Sequence, residues 1–122
     1  MTDKTPILVA EDEAMLRVLA VEMLEDAGFQ VFEAGDGMEA LELLKANPQI
    51  ALLVSDVKMP RMDGYALVTA GLEFKPDLKV LLMTGYAQDP PPQFLKARDI
   101  QILHKPFNLE KLCTLAAEMT AA

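Results

Sequence analysis

Residues 7–28 read ILVAEDEAMLRVLAVEMLEDAG. The run Ile7-Leu8-Val9-Ala10 is apolar at every position, which suits a strand covered on both faces inside a parallel sheet. Leu16, Leu19, Ala20, Met23, Leu24 and Ala27 follow at i, i+3, i+4, i+7, i+8 and i+11, which sets them on one face of a helix. Gly28 is placed to end that helix as the residue after its cap. A buried strand followed at once by an amphipathic helix is one βα unit, and the rest of the chain repeats it.

Gln30 to Ala34 reads as a second strand, Gly35-Asp36-Gly37 as a turn, and Ala40, Leu41 and Leu44 as the buried side of a second helix before Pro48. Ile50 to Ser55 is a third strand. After the loop Asp56 to Asp63, a helix runs from Gly64 to about Phe74, Pro76-Asp77 breaks it, and Lys79 to Thr84 forms a fourth strand. A helical stretch from Pro92 to Arg98 precedes a fifth strand, Ile100 to Leu103, and Leu109, Leu112, Cys113 and Ala116 mark a last amphipathic helix. Five βα units with short connections predict a doubly wound α/β fold, a five-stranded parallel sheet with five helices on its two faces. Reactive groups in such sheets gather at the carboxyl ends of the strands, beside the point where the strand order reverses.

The chain of 122 residues is close to the roughly 150 expected of one domain, so a single domain over residues 1–122 is predicted. Its 52% hydrophobic and 25% charged residues are those of a globular protein. The longest apolar run, Ile50 to Val54, is far below the roughly 18 residues that cross a bilayer, and residues 1–5 lack a secretion signal, so a cytoplasmic location is expected. With 11 Lys and Arg against 19 Asp and Glu, the formal charge of -8 repels nucleic acid and anionic lipid alike. One cysteine and one histidine cannot build a zinc cluster, so any metal must be a hard, oxygen-bound ion.

The predicted strands end in Glu11-Asp12-Glu13, Ser55-Asp56, Met83-Thr84-Gly85 and His104-Lys105-Pro106. Carboxylates, a hydroxyl and an ammonium thus converge although they lie far apart along the chain. Each has a bland alternative: Glu11 to Glu13 could cap the helix they open, Thr84 could be an ordinary strand-end hydroxyl, and Lys105 a solvated charge. Four strand ends together favour a site. Clustered carboxylates without His or Cys suit Mg²⁺. A strand-end carboxylate can also act as nucleophile in phosphoryl transfer, forming an aspartyl phosphate, and Asp56 is the candidate.

The motifs ILVAEDE, SDVKMPRMDG, LLMTGYA and HKPF, in this order and spacing, resemble the receiver domain of bacterial response regulators over essentially the whole chain. The resemblance implies a flavodoxin-like receiver fold with strand order 2-1-3-4-5, of the stand-alone, chemotaxis-regulator kind, with no effector domain. It implies that Asp56 takes phosphate from the phosphohistidine of a sensor histidine kinase or histidine phosphotransfer protein and switches binding to a downstream protein target. By the same resemblance, Asp12, Asp56 and the Lys58 carbonyl hold Mg²⁺ while Glu11 assists through water. Thr84 and Lys105 contact the phosphoryl group, Pro106 shapes its loop through a cis bond, and Gly85 leaves room for the donor. The only catalysis implied is the domain's own phosphorylation and dephosphorylation.

Three places depart from the family pattern: Glu11 stands where Asp is common, Ile102 where a switching aromatic is usual, and Pro90-Pro91-Pro92 interrupts the fourth helix, leaving it only Pro92 to Arg98. Tyr86 is the nearest aromatic to Thr84. His104 is read as structural, and Asp36 between its glycines as part of a turn, since neither G-x-G-x-x-G nor a P-loop is present. One rival is a phosphohydrolase of the haloacid dehalogenase type, which begins with its nucleophile in an Asp-x-Asp pair and needs a cap; the order of motifs and the length oppose it. The other is a receiver-like scaffold that works without phosphate, favoured only by Ile102.

Overall fold

The computed structural model describes residues 4–85, 100–105 and 108–121. Their elements are β1 (Pro6–Ala10), α1 (Ala14–Asp26), β2 (Gln30–Ala34), α2 (Gly37–Ala46), β3 (Leu52–Asp56), α3 (Gly64–Phe74), β4 (Lys79–Thr84), β5 (Ile100–His104) and α4 (Leu109–Thr120). The predicted helix from Pro92 to Arg98, the triple proline, Tyr86 and Pro106 lie outside the described residues.

The strands form one parallel sheet in the order β2-β1-β3-β4-β5. Alternate residues of each strand feed opposite layers, because successive side chains leave a strand on opposite faces. Leu8, Ala10, Leu53, Val80 and Leu82 pack with Ala40 and Leu44 of α2 and with Leu67 and Val68 of α3. Ile7, Val9, Leu52, Val54, Leu81 and Met83 pack with Ala20, Val21 and Leu24 of α1 and with Leu112, Ala116 and Met119 of α4. Burial of both faces explains the unbroken apolar runs of the central strands. The chain steps from β1 outward to β2 and returns to the other side of β1 as β3, so the strand order reverses between β1 and β3.

Most predicted boundaries hold, with Gly28 at φ 102° just beyond α1. β3 starts at Leu52, because the Ile50 N–H closes a turn on the Asn47 carbonyl; Ile50 is nonetheless wholly buried. β5 extends to His104, which pairs in register with Thr84.

The largest correction concerns α1. Leu16 and Leu19, expected in the buried face, are 41% and 42% exposed, and Ala27 is exposed as well. The side chains that meet the sheet are those of Ala20, Val21 and Leu24. The apolar stripe of α1 is wider than its contact with the sheet, and Leu16 and Leu19 instead line a cavity of ≈ 390 Å³ that Leu109 and Leu112 of α4 also line.

Candidate functional site

Glu11 and Asp12 directly follow β1, Asp56 ends β3, and the reversal of strand order brings these carboxyl ends side by side. One carboxylate oxygen from each of Glu11, Asp12 and Asp56 lies within 4.8 Å of the other two. Glu11 and Asp56 are buried, and Asp12 is exposed at the rim. Lys105, just beyond β5, is fixed from its backbone: its N–H donates to the Thr84 carbonyl at 2.7 Å, one step past the β4–β5 ladder. Its ammonium donates to Asp56 Oδ2 at 2.9 Å and lies 3.9 Å from Glu11 Oε1. An open cleft of ≈ 660 Å³ gives access to Asp56, with Asp12, Lys58, Gly85 and Lys105 in its lining.

Thr84, the last residue of β4, is buried and joins the group through its carbonyl. A Cβ on Gly85 would stand 3.8 Å from Lys105 Cβ and Cδ, an ordinary contact, so that residue borders the cleft without being wedged. His104 is exposed at the end of β5.

The acidic triplet does not act as a side-chain cap. Glu13 occupies the N-cap of α1 without a side-chain hydrogen bond, and its N–H instead donates to Glu11 Oε2 at 3.1 Å. Asp56 is held through its neighbours: the Val57 N–H donates to the Met83 carbonyl, and the Gly64 N–H to the Val57 carbonyl. A Cβ on Gly64 would fall 2.4 Å from the Asp56 carbonyl oxygen, so only glycine lets α3 begin this close to the acidic residue. Asp63 caps α3 by accepting from the Ala66 N–H.

Three carboxylates facing one ammonium leave excess negative charge. Burial, the charge of Asp56 and the contact with Asp12 raise the Glu11 carboxyl from its usual 4.5 to about 7, against the Glu13 N–H and the Lys105 charge. For Lys105, burial favours the neutral amine, but the hydrogen bond and charge of Asp56, with Glu11 and Glu13, outweigh it and hold the ammonium above the ordinary lysine range. A cluster of hard oxygen donors in which burial and a neighbouring carboxylate raise one carboxyl well above its ordinary range fits a divalent cation such as Mg²⁺.

The family model described as the response regulator receiver domain matches residues 7–117. CpdR, a response regulator receiver protein of Brucella abortus (strain 2308), is 38% identical over 117 residues, covering 95% of this chain and 97% of CpdR. The sensor kinase CckA of the same organism is 36% identical over 121 residues, covering 98% of this chain and 13% of the kinase. A crystal structure of the receiver domain of the hybrid histidine kinase CckA superposes with a TM-score of 0.80 at 31% identity, covering 93% of this chain and 97% of that one. With the 2-1-3-4-5 sheet and a family match that spans the acidic strand ends, the chain belongs to the response regulator receiver domains, regulatory phosphoacceptor modules of two-component phosphorelays whose Mg²⁺ sites are acidic clusters.

Proposed function

We propose that Asp56 is the phosphoacceptor, that Asp12, Asp56 and the Lys58 carbonyl hold Mg²⁺ with Glu11 assisting, and that Lys105 and Thr84 engage the phosphoryl group. The observation that carries this is the 2.9 Å pair between Lys105 Nζ and Asp56 Oδ2 inside the carboxylate cluster. A carboxylate oxygen of Asp56 attacks phosphorus, the phosphorus–nitrogen bond of the donor phosphohistidine breaks, and the nitrogen keeps the electron pair. Bound Mg²⁺ supplies positive charge for the phosphoryl oxygens. Lys105 then exchanges its carboxylate partner for a phosphoryl oxygen, and the Thr84 hydroxyl donates to another. The reaction is stoichiometric, so no separate substrate is turned over. The test is uptake of phosphate from a small acyl phosphate donor: one phosphoryl group per chain is expected with Mg²⁺ and none in excess chelator, whereas repeated turnover of phosphate esters would favour a phosphohydrolase.

Lys105→Ala is expected to accept some phosphate while losing most of its consequence. A charge-assisted contact is worth about 1.5–3 kcal/mol, a large part of the ~5.5 kcal/mol needed to turn a 1:99 bias into 99:1. Amide exchange with and without beryllofluoride checks this, and an equal response in wild type and Lys105→Ala would refute it.

The partner that delivers phosphate is a phosphohistidine protein, a sensor kinase or a phosphotransfer protein, and its docking surface is the exposed face of α1. Met15, Leu16, Val18 and Leu19 are exposed there, and the cavity behind Leu16 and Leu19 reaches Glu11 and Lys105. Such a patch beside a reactive site marks a partner surface. Each leucine is already more than half covered, so complete burial contributes roughly 1 kcal/mol apiece. Leu16→Ser with Leu19→Ser should therefore slow phosphotransfer from the histidine partner at least about ten-fold and leave acyl phosphate labelling intact. Equal slowing of both would place the defect in the site.

A further inference from the structure

The end of β2 and the turn Gly35-Asp36-Gly37 carry none of the proposed chemistry, yet two arginines tie them to the loops that do. Arg17, on α1, donates from Nη1 to the Glu11 carbonyl at 2.8 Å and from Nε to Glu33 Oε1 at 3.2 Å. A Cβ on Gly35 would stand 3.2 Å from that same Nη1, so the guanidinium passes close beside the turn. It thereby joins the β1–α1 loop, with Glu11 and Asp12, to the end of β2.

Arg61, in the loop after β3, donates from Nε and Nη2 to both carboxylate oxygens of Asp36 at 2.7–3.0 Å. Asp36 Oδ1 also accepts from the Glu39 N–H as the N-cap of α2, so one carboxylate starts a helix and grips a loop. Next to it, a Cβ on Gly37 would fall 2.2 Å from the Met62 carbonyl oxygen: the loop rests directly on the turn. Arg61 sits at φ 66°, a left-handed conformation that costs a non-glycine residue energy and that its surroundings must impose. Lys58, whose carbonyl is read as a metal ligand, lies three residues before it.

We infer that the end of β2 and the Gly35-Asp36-Gly37 turn that follows it are an anchor to which both metal-binding loops are strapped, one through Glu33 and one through Asp36, Arg17 and Arg61 acting as positioning residues that set the Glu11, Asp12 and Lys58 oxygens for Mg²⁺. The inference rests on the proposed Mg²⁺ site. Its energetic logic is preorganisation: Arg61 is largely exposed, so its ion pair adds little to folding. A loop that holds the ligand geometry for only part of the time raises the apparent dissociation constant by the inverse of that fraction.

Arg61→Gly removes the fork while suiting the left-handed backbone, and Asp36→Ser removes it while keeping a cap oxygen for the Glu39 N–H. Both variants, with Arg17→Met for the other strap, are to be titrated with Mg²⁺ by calorimetry at low salt and melted in excess chelator. The expected result for Arg61→Gly and Asp36→Ser is a dissociation constant raised about five-fold with a chelator-form melting temperature within about 3 °C of wild type. Arg61→Lys, which keeps the charge and loses the fork, should fall between. Wild-type affinity in all three strap variants overturns the inference, as does a loss of affinity that only follows a loss of melting temperature. Failure of the wild-type protein to bind Mg²⁺ would instead overturn the metal site on which the inference rests.

Discussion

Asp56→Asn is expected to take up no phosphoryl group from an acyl phosphate donor, a fall of at least about 10³-fold in rate, because a carboxamide oxygen lacks the charge and basicity to attack phosphorus. The substitution is nearly isosteric, and its carbonyl oxygen can still accept from the Lys105 ammonium that now sits 2.9 Å from Asp56 Oδ2. The fold should therefore survive, and loss of labelling would report chemistry and not unfolding. Removing one of three clustered carboxylates also relieves repulsion, so the chelator form should melt no lower than wild type. Intact mass after incubation with donor and Mg²⁺ checks the prediction. Labelling that persists in Asp56→Asn would move the acceptor to Asp12 or Glu11, the two carboxylates close enough to substitute.

The parts of this molecule that were legible in its sequence are those fixed by periodicity and punctuation. Gln30–Ala34, Gly64–Phe74 and Lys79–Thr84 fall where the apolar patterns and the Asp63-Gly64 and Pro76-Asp77 signals put them. The site was legible for a topological reason: in a parallel sheet every strand presents its carboxyl end along the same edge, so Asp12, Asp56 and Lys105 belong to one group although they lie far apart in sequence. What periodicity could not say is which part of an apolar face the protein itself covers. Leu16 and Leu19 share the spacing of Ala20 and Leu24, yet only the latter two meet the sheet. The two straps were hidden for a different reason: a lone surface arginine has no repeat to betray it, and the left-handed backbone of Arg61 leaves no mark in an Arg-Met-Asp sequence. The bent-back Glu11 carboxylate was equally silent, since a cap by Glu13 and a hydrogen bond to Glu11 use the same three residues.

The raised pKa of Glu11 leads to the second large effect, a stability that depends on pH and on Mg²⁺ together. The groups facing this carboxyl are Asp12 and Glu13 from its own loop, Asp56 from β3 and Lys105 after β5, while Arg17 is engaged with its backbone carbonyl. Its folded pKa, about 7, stands above the ordinary 4.5. Below about pH 4.5 the carboxyl is protonated whether the chain is folded or not, and the contribution to stability is fully present; as the pH climbs through about 7, the unfolded chain ionises freely while the folded one must charge a buried group, and that stability is lost. Between pH 5 and 8 the chelator-treated protein should lose about 2–3 kcal/mol of unfolding free energy from this group. Divalent charge in the cluster does the proton's work without needing the proton, so saturating Mg²⁺ should flatten the profile, stabilise most at the alkaline end and release a proton on binding at neutral pH. Glu11→Gln, uncharged at every pH, should flatten it in chelator as well. Urea midpoints measured across this range decide the matter: a wild-type profile as flat in chelator as that of Glu11→Gln would mean that Glu11 is already ionised in the folded protein and that Lys105 alone balances the cluster.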